Sequence, residues 1–173
     1  MKKLIISILF LLWSGTALAN EYDNAFWKLT TTQLFALTLY GEARGESVEG
    51  KIAVGTIILE RTRSRNSIKG TILQPQQFSC FSPNDRQYYR LNFIAEKWKY
   101  SYKQSRQLRE CFAIAKGLVN GTITGHRLLL ENRATHFKTI SVKPGWSKKM
   151  SLIIIIGGHQ FYAETSRRKY NIV

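Results

Sequence analysis

Residues 40–63, YGEARGESVEGKIAVGTIILERTR, contain the pattern that decides the fold. A run of threonines just upstream provides an N-cap for a first helix over residues 33–44, which Gly45 interrupts. Ser47 then caps a second helix that continues to about Arg63. This second helix is apolar on nearly all sides, which is typical of a central helix covered by its neighbours.

Further helical segments are expected downstream of this pair. Residues 68–73 form a short helical turn that stops before a proline, and residues 76–90 have the composition of a loop. A third long helix is predicted over residues 102–119, because Asn120 and Gly121 provide a stop signal.

The last third of the chain has a different composition. Residues 127–140 and 151–163 are rich in β-branched and aromatic side chains, which predicts strands. Gly157-Gly158 suits a tight hairpin turn, and residues 152–156 have the pattern of a buried strand. Helices therefore come first and a small antiparallel sheet follows, which predicts a single α+β domain.

The N-terminus has the three parts of a secretory signal. Lys2 and Lys3 are followed by an apolar run over residues 4–13 and by an Ala-Leu-Ala cleavage pattern ending at Ala19. We expect cleavage there, export to the periplasm or cell wall, and a mature domain over residues 20–173. An uncleaved N-terminal anchor is the alternative.

The chain is strongly basic, with 26 Lys and Arg against 11 Asp and Glu in 173 residues. A hydrophobic content of 44% argues against disorder. Residues 20–100 have 11 basic and 8 acidic side chains, whereas residues 101–173 have 13 basic and 3 acidic. Nucleic acid is a poor partner for an exported chain, so the charge indicates peripheral contact with an anionic cell envelope.

Two cysteines exclude a disulfide-dense scaffold. Cys80 and Cys111 can pair in an oxidising compartment, or they can be two buried thiols. Their distance is not given by the sequence, so both alternatives stay open.

Glu42 is the most informative polar residue. It follows Leu39 by three positions and Phe35 by seven, so it projects from a mostly apolar stripe of the first helix. Desolvation there raises the pKa of a carboxyl group, and such a group can act as a general acid. The alternative is an ordinary ion pair with Arg44.

Several segments resemble, in order, the cell wall hydrolases related to the spore cortex-lytic enzyme. The resemblance covers about residues 33–162. The matching segments are Tyr40-Gly41-Glu42-Ala43-Arg44-Gly45-Glu46, Glu49-Gly50-Lys51-Ile52-Ala53-Val54, Ile57-Ile58-Leu59-Glu60-Arg61, Gln77-Phe78-Ser79, Ala134-Thr135-His136-Phe137, Trp146 and Ile156-Gly157-Gly158-His159-Gln160-Phe161-Tyr162.

This resemblance implies a lysozyme-like fold and a monomeric, cofactor-free peptidoglycan hydrolase. It implies lytic transglycosylation between N-acetylmuramic acid and N-acetylglucosamine, with Glu42 as the single catalytic acid. The expected substrate contacts are Gln77, Phe78, Ser79, His136 and Trp146. The expected supporting residues are Tyr40, Arg44 and Glu46.

The distribution of acidic residues is compatible with that reaction. A conventional glycosidase needs two carboxyl groups, about 5–5.5 Å apart if retaining or roughly 6.5–9.5 Å apart if inverting. After residue 100 only Glu110, Glu131 and Glu164 are available as partners. A transglycosylase needs one carboxyl group.

Two other functions remain open. A zinc-dependent N-acetylmuramoyl-L-alanine amidase would use His126, His136 and His159, although no His-Glu-x-x-His pattern is present and no metal site is expected. A non-catalytic wall-binding protein would use the basic C-terminal half. Aromatic and basic residues also alternate over residues 98–103, as in a glycan surface or in a helix with its aromatics facing the core.

Overall fold

The computed structural model describes residues 25–65 and 67–165. The predicted signal peptide, residues 1–19, lies outside the described residues. Within the described ranges, no helix is long and apolar enough to cross a bilayer. The α-helices there are α1 Ala25–Lys28, α2 Thr31–Ala43, α3 Val48–Thr62, α4 Ile68–Leu73, α5 Tyr88–Glu96, α6 Trp98–Gln104, α7 Arg106–Asn120 and α8 Arg127–Glu131.

The two helices of the deciding segment form as predicted. Thr30 accepts a hydrogen bond from the Gln33 backbone N–H, and the Gln33 side chain accepts from the Thr30 N–H, which makes a capping box for α2. Ser47 accepts from the Gly50 N–H and caps α3. These caps satisfy N–H groups that the first helical turn leaves without partners.

The core is built where α2, α3 and α7 meet. Leu34, Phe35 and Ile57 are fully buried there, and each such side chain contributes about 1.5–3 kcal/mol through loss of apolar surface to water. A side chain at Gly55 would overlap Leu118 of α7, so the glycine permits the close approach of α3 and α7. The predicted central position of the second helix is confirmed.

The region between α4 and α7 corrects the sequence prediction. The loop over residues 76–90 contains the 3₁₀ helix Ser79–Phe81 and ends where α5 begins at Tyr88. The long helix predicted over residues 102–119 is divided into α6 and α7 at Ser105, whose extended backbone lets its side chain cap α7. Aromatic side chains of α6 pack against Phe112, so residues 98–103 are a core-facing helix.

The sheet has three antiparallel strands in the order β1-β3-β2. They are β1 His136–Thr139, β2 Met150–Ile156 and β3 His159–Glu164, and a second 3₁₀ helix, Gly145–Lys149, precedes β2. Gly157 has a φ of 54° and turns the chain between β2 and β3, so the predicted hairpin is confirmed. The order of helices before a small sheet is also confirmed.

Two details of the predicted sheet are wrong. Residues 127–131 form helix α8, whose first turn is closed by hydrogen bonds from the Leu129 and Leu130 N–H groups to the His126 carbonyl. Strand β2 is not a buried strand. Leu152 is 45% exposed and Ile155 50% exposed, because no layer formed by the described residues packs over one face of this small sheet.

Candidate active site

A cleft of about 1830 Å³ runs between the helical half and the sheet. Its walls come from the C-terminal ends of α2 and α3, the segment before the first 3₁₀ helix, the α8–β1 connection and the sheet. The sequence-predicted residues that line it are Glu42, Gln77, Phe78, Ser79, His136 and Trp146. Residues far apart in the sequence thus share one open, polar cleft.

Glu42 lies in the last turn of α2, where its carboxyl group is shielded from water. Its Oε1 has no hydrogen-bond partner among the described residues. Burial raises the pKa of Glu42, and the negative charge of Asp85 acts in the same direction. The thiol and backbone N–H of Cys80 and the charge of Arg61 partly offset this. The desolvation predicted from helical spacing is therefore present.

Arg44 does not form the alternative ion pair with Glu42. Its guanidinium donates to the Tyr40 carbonyl at 3.4 Å and to the Gln87 side-chain oxygen, and it lies 5.4 Å from the centre of the Tyr40 ring. Gln87 in turn donates to the Gly41 carbonyl at 3.0 Å. These contacts join Tyr40, Arg44 and Gln87 at the end of α2, and the supporting role of Tyr40 and Arg44 stays a prediction.

Arg61 is the residue that the sequence reasoning missed. Its Nε donates to the Thr135 carbonyl at 2.7 Å, and its Nη1 donates to the Gln77 carbonyl at 2.9 Å. Its guanidinium also lies 4.9 Å from the centre of the Phe78 ring. Burial lowers the pKa of Arg61 to about 10, so it stays charged at neutral pH. One side chain therefore joins both walls of the cleft and places a positive charge near Glu42.

The Gln77–Cys80 segment forms one wall of the cleft. Phe78 is buried beneath Arg61, while Ser79 is exposed in the cleft and Gln77 half-buried. Cys80 then packs against the α2 end, since a side chain at Gly41 would come within 2.9 Å of its Sγ. The apolar members of the segment fix its position and the polar members face the space where a ligand fits.

His136 and Trp146 form the opposite wall. Their rings lie 5.1 Å apart, and Trp146 meets Tyr162 edge-on at 5.4 Å. Burial and the nearby charge of Arg61 lower the pKa of His136, so its imidazole is neutral at neutral pH. Trp146 is half-buried, which leaves part of the indole open to the cleft.

Glu46 contacts the β2–β3 hairpin and buried His159, which lines the cleft. Its carboxylate accepts a hydrogen bond from the Gly158 N–H at 3.1 Å and lies 3.4 Å from Nδ1 of buried His159. Its backbone carbonyl accepts from Lys51. Burial lowers the pKa of His159, and the charge of Glu46 opposes that shift. Glu46 thus connects the α2–α3 junction to the β2–β3 turn.

The three histidines have separate surroundings. His126 lies 3.5 Å from Glu49, His136 lies 2.9 Å from the Thr135 hydroxyl, and His159 faces Glu46. The described part of the chain contains no group of three or more side chains able to hold a metal ion together. Both cysteines are free, buried thiols, and burial raises the pKa of Cys111 to about 12.

The other candidate carboxylates differ in their position. Glu110 lies outside the cleft lining and pairs with Lys51 at 2.9 Å, whereas Glu131 and Glu164 both line the cleft, and Glu131 pairs with Arg127 at 2.7 Å. Asp85, which the sequence reasoning did not single out, accepts a hydrogen bond from the Gln87 N–H at 2.8 Å. Asp85 lies in the loop before α5, so helical or strand spacing in the sequence does not predict its position.

Comparison with known proteins identifies the class. The Cell Wall Hydrolase family model matches residues 45–162, and the chain belongs to this family. It is 39% identical over 64 residues to the spore cortex-lytic enzyme of Oceanobacillus iheyensis, covering 31% of this chain and 23% of that protein. It is 43% identical over 51 residues to that of Bacillus subtilis, covering 28% and 17%. These matches span less than a quarter of each relative.

Solved structures show the same fold. The catalytic domain of the germination-specific lytic transglycosylase SleB from Bacillus anthracis matches with a TM-score of 0.55 and 24% identity, over 76% of this chain and 93% of that one. The catalytic domain of Bacillus cereus SleB matches with a TM-score of 0.53 and 24% identity, over 76% and 88%. The predicted fold class is therefore confirmed.

Proposed function

We propose that this cell wall hydrolase is an exported lytic transglycosylase that cleaves the bond between N-acetylmuramic acid and N-acetylglucosamine in peptidoglycan. The observation that carries the proposal is Glu42, a buried carboxyl group of raised pKa in the wall of a long cleft. A raised pKa keeps such a group protonated and able to donate to a leaving oxygen. The similar domain from Bacillus anthracis is that of a lytic transglycosylase, which supports the same reaction here.

The reaction requires one acid that later acts as a base. Glu42 donates its proton to the glycosidic oxygen, the bond from that oxygen to C1 of the muramic acid breaks, and N-acetylglucosamine leaves with a free 4-hydroxyl. The C6 hydroxyl of the muramic acid then attacks C1, and its proton passes to Glu42. The product is a 1,6-anhydro sugar, no water is consumed, and Glu42 is again protonated.

The walls supply contacts of the kinds that a sugar needs. We assign Gln77 and Ser79 to hydrogen bonds with sugar hydroxyl or acetamido groups, and the open part of Trp146 to stacking on a pyranose. His136, neutral and beside Trp146, is assigned a hydrogen bond to substrate. Phe78 shapes the wall from beneath Arg61.

The basic C-terminal half gives the domain a way to stay near its substrate. Residues 101–173 have 13 basic and 3 acidic side chains, and an anionic envelope attracts such a surface. We propose action as a monomer in the periplasm or cell wall after removal of residues 1–19.

The test is digestion of purified sacculi followed by mass analysis of the released muropeptides. The proposal predicts anhydro-muramic ends, intact lactyl amides and activity that a chelator leaves unchanged. Released stem peptides with chelator-sensitive activity would establish the amidase instead. Binding to sacculi without any released product would establish a wall-binding protein.

A further inference from the structure

The cleft is lined by five basic side chains and by the acidic side chains of Glu42, Glu60, Glu131 and Glu164. Its basic lining residues are Arg61, Arg63, Arg65, Arg133 and Lys138. Arg61 bonds two backbone carbonyls, Arg63 pairs with Glu60 at 2.7 Å, and Lys138 donates to Gln160. Within residues 25–65 and 67–165, Arg65 and Arg133 have no hydrogen bond or ion pair from their side chains.

Arg65 is the more informative of the two. It is half-buried, and its Nη1 is shielded from solvent without a hydrogen-bond partner in the described part of the chain. A buried charged donor without a partner is costly, and native structures rarely keep one without a reason. An anionic ligand in the cleft would satisfy this donor.

Arg133 is held at the cleft by an unusual backbone. Its φ is 49°, in the left-handed region that side chains other than glycine seldom adopt. Hydrogen bonds from its N–H to the Leu130 carbonyl and from the Ala134 N–H to the Leu129 carbonyl hold this turn. These are the two hydrogen bonds of a Schellman motif that ends helix α8, and the motif fixes the backbone from which the Arg133 side chain lines the cleft.

Arg65 and Arg133 line the same cleft as Glu42. Arg61 interacts electrostatically with Glu42 and also with Arg65. Arg133 lies two residues before Thr135, whose carbonyl accepts from Arg61. A ligand that fills the cleft therefore meets Glu42 and both arginines.

In peptidoglycan the sugars themselves are neutral, and the negative charges are carboxylates on the lactyl side of muramic acid. We propose that Arg65 and Arg133 bind a carboxylate of the peptide stem, so that the chain prefers peptide-bearing glycan to bare glycan. This inference rests on the proposed function and specifies the substrate of the same site. Guanidinium groups suit it because they bind carboxylates through two parallel hydrogen bonds.

The test compares kcat/KM of the full chain on three soluble glycan preparations. The first has its stems, the second has been stripped by an amidase and has free lactyl carboxylates, and the third has stems whose carboxylates are chemically amidated. We expect the first to be cleaved at least about tenfold better than the other two. Equal rates on the first and third would overturn the inference, and so would a preference for the stripped glycan, which would assign the arginines to the lactyl carboxylate.

Variants test which residues cause the preference for stem-bearing glycan. Arg65→Gln and Arg133→Gln are each expected to reduce the preference for stem-bearing glycan by about three- to tenfold. Arg106→Gln, an exposed residue outside the cleft with the same charge change, should leave it unchanged. An unchanged preference in both cleft variants would overturn the assignment. If Arg65→Gln fails to fold, the three-substrate comparison with the unsubstituted chain still decides.

Failure of this inference is distinguishable from failure of the proposed function. Anhydro products from all three glycans at equal rates would reject the stem contact and keep the transglycosylase. Products without anhydro ends would reject the transglycosylase itself.

Discussion

The helical half and the sheet half of the molecule differ in how densely residues pack around the side chains that line the cleft. On the helical side, Glu42 follows a run of core residues that includes Leu34, Phe35 and Leu39, each of which is fully buried. On the sheet side, His136 and Trp146 are only half-buried, and the neighbouring strand β2 exposes large apolar residues.

The helical half and the sheet half therefore contribute different things to the cleft. The helical core shields one carboxyl group from water, which raises its pKa. The sheet contributes a half-buried wall to the cleft through residues such as His136 and Ile153. Arg61 and Glu46 connect the two halves, so the cleft depends on a few polar contacts across it.

Replacing Glu42 by glutamine should produce the largest effect. We expect kcat to fall by about a thousandfold, because the proton donor is lost. Measurement of kcat on soluble glycan checks this. The exposed Glu96→Gln serves as the matched control and should keep full activity.

The same variant should gain stability at high pH. The pKa of Glu42 is raised above its ordinary value of 4.5, so its contribution to stability is complete below that value and is lost as pH rises through the folded pKa. The melting temperature of Glu42→Gln relative to the unsubstituted chain should therefore increase from about pH 4 to about pH 8. A difference that stays constant with pH would contradict the buried carboxyl.

Arg61→Gln should weaken the contacts between the helical half and the sheet half. Loss of two charge-assisted hydrogen bonds across the cleft is expected to lower the free energy of unfolding by about 3 kcal/mol. Urea unfolding measures this, with Arg106→Gln as the control of equal charge change. A loss below about 0.5 kcal/mol, the range of ordinary surface changes, would show that Arg61 does not connect the walls.

Gly157→Ala tests the second connection. The new methyl group would collide with the Glu46 carboxylate, and a φ of 54° disfavours alanine. We expect a loss of about 2 kcal/mol and a raised KM, since the hairpin supports the wall that contains His136. Gly145→Ala, where an added methyl group meets nothing within 4 Å, should change neither.

Asp85→Asn should move the pH dependence without removing activity. In the proposed mechanism Glu42 donates a proton, so we expect the rate to fall as pH rises through its pKa. Asp85 raises that pKa, and the variant should therefore begin its fall at lower pH than the unsubstituted chain. Abolished activity across the whole pH range would identify Asp85 as a second catalytic carboxylate and favour hydrolysis.

The smallest expected effect concerns the basic C-terminal half of the chain, residues 101–173. Binding of Glu42→Gln to sacculi should weaken as salt rises, because the Debye length falls to about 8 Å at 0.15 M and shorter above it. Co-sedimentation with sacculi measures this. Binding that does not change with ionic strength would remove the basic half from the account of localisation.

The burial of Glu42 could be predicted because it depends on local spacing. Leu39 and Phe35 precede it by three and seven residues, and helical geometry places all three on one face. The caps of α2 and α3 were predictable for the same reason. The motif around Glu42 also indicated the family, and the family implied the fold.

Other features depend on contacts that local patterns do not contain. Arg61 bonds carbonyls 16 and 74 residues away, so nothing in its own helix reports its role. Helix α5 was missed because its packing depends on a distant part of the chain, where Phe26 meets Tyr88 edge-on. For residues 98–103 a core-facing helix was one of two open alternatives, and the contacts of Trp98 and Tyr102 with Phe112 decide in its favour. Helix α8 was missed because three leucines in a row suit a strand equally well.

In the proposed reaction one acid, Glu42, cleaves the glycan without consuming water. Digestion of sacculi in heavy-oxygen water tests this. In a transglycosylase the oxygen that forms the new bond to C1 comes from the C6 hydroxyl of the same sugar and not from water. We predict released muramic ends that contain no heavy oxygen and are lighter than hydrolysed ends by the mass of one water. Incorporation of heavy oxygen at C1 would contradict the account.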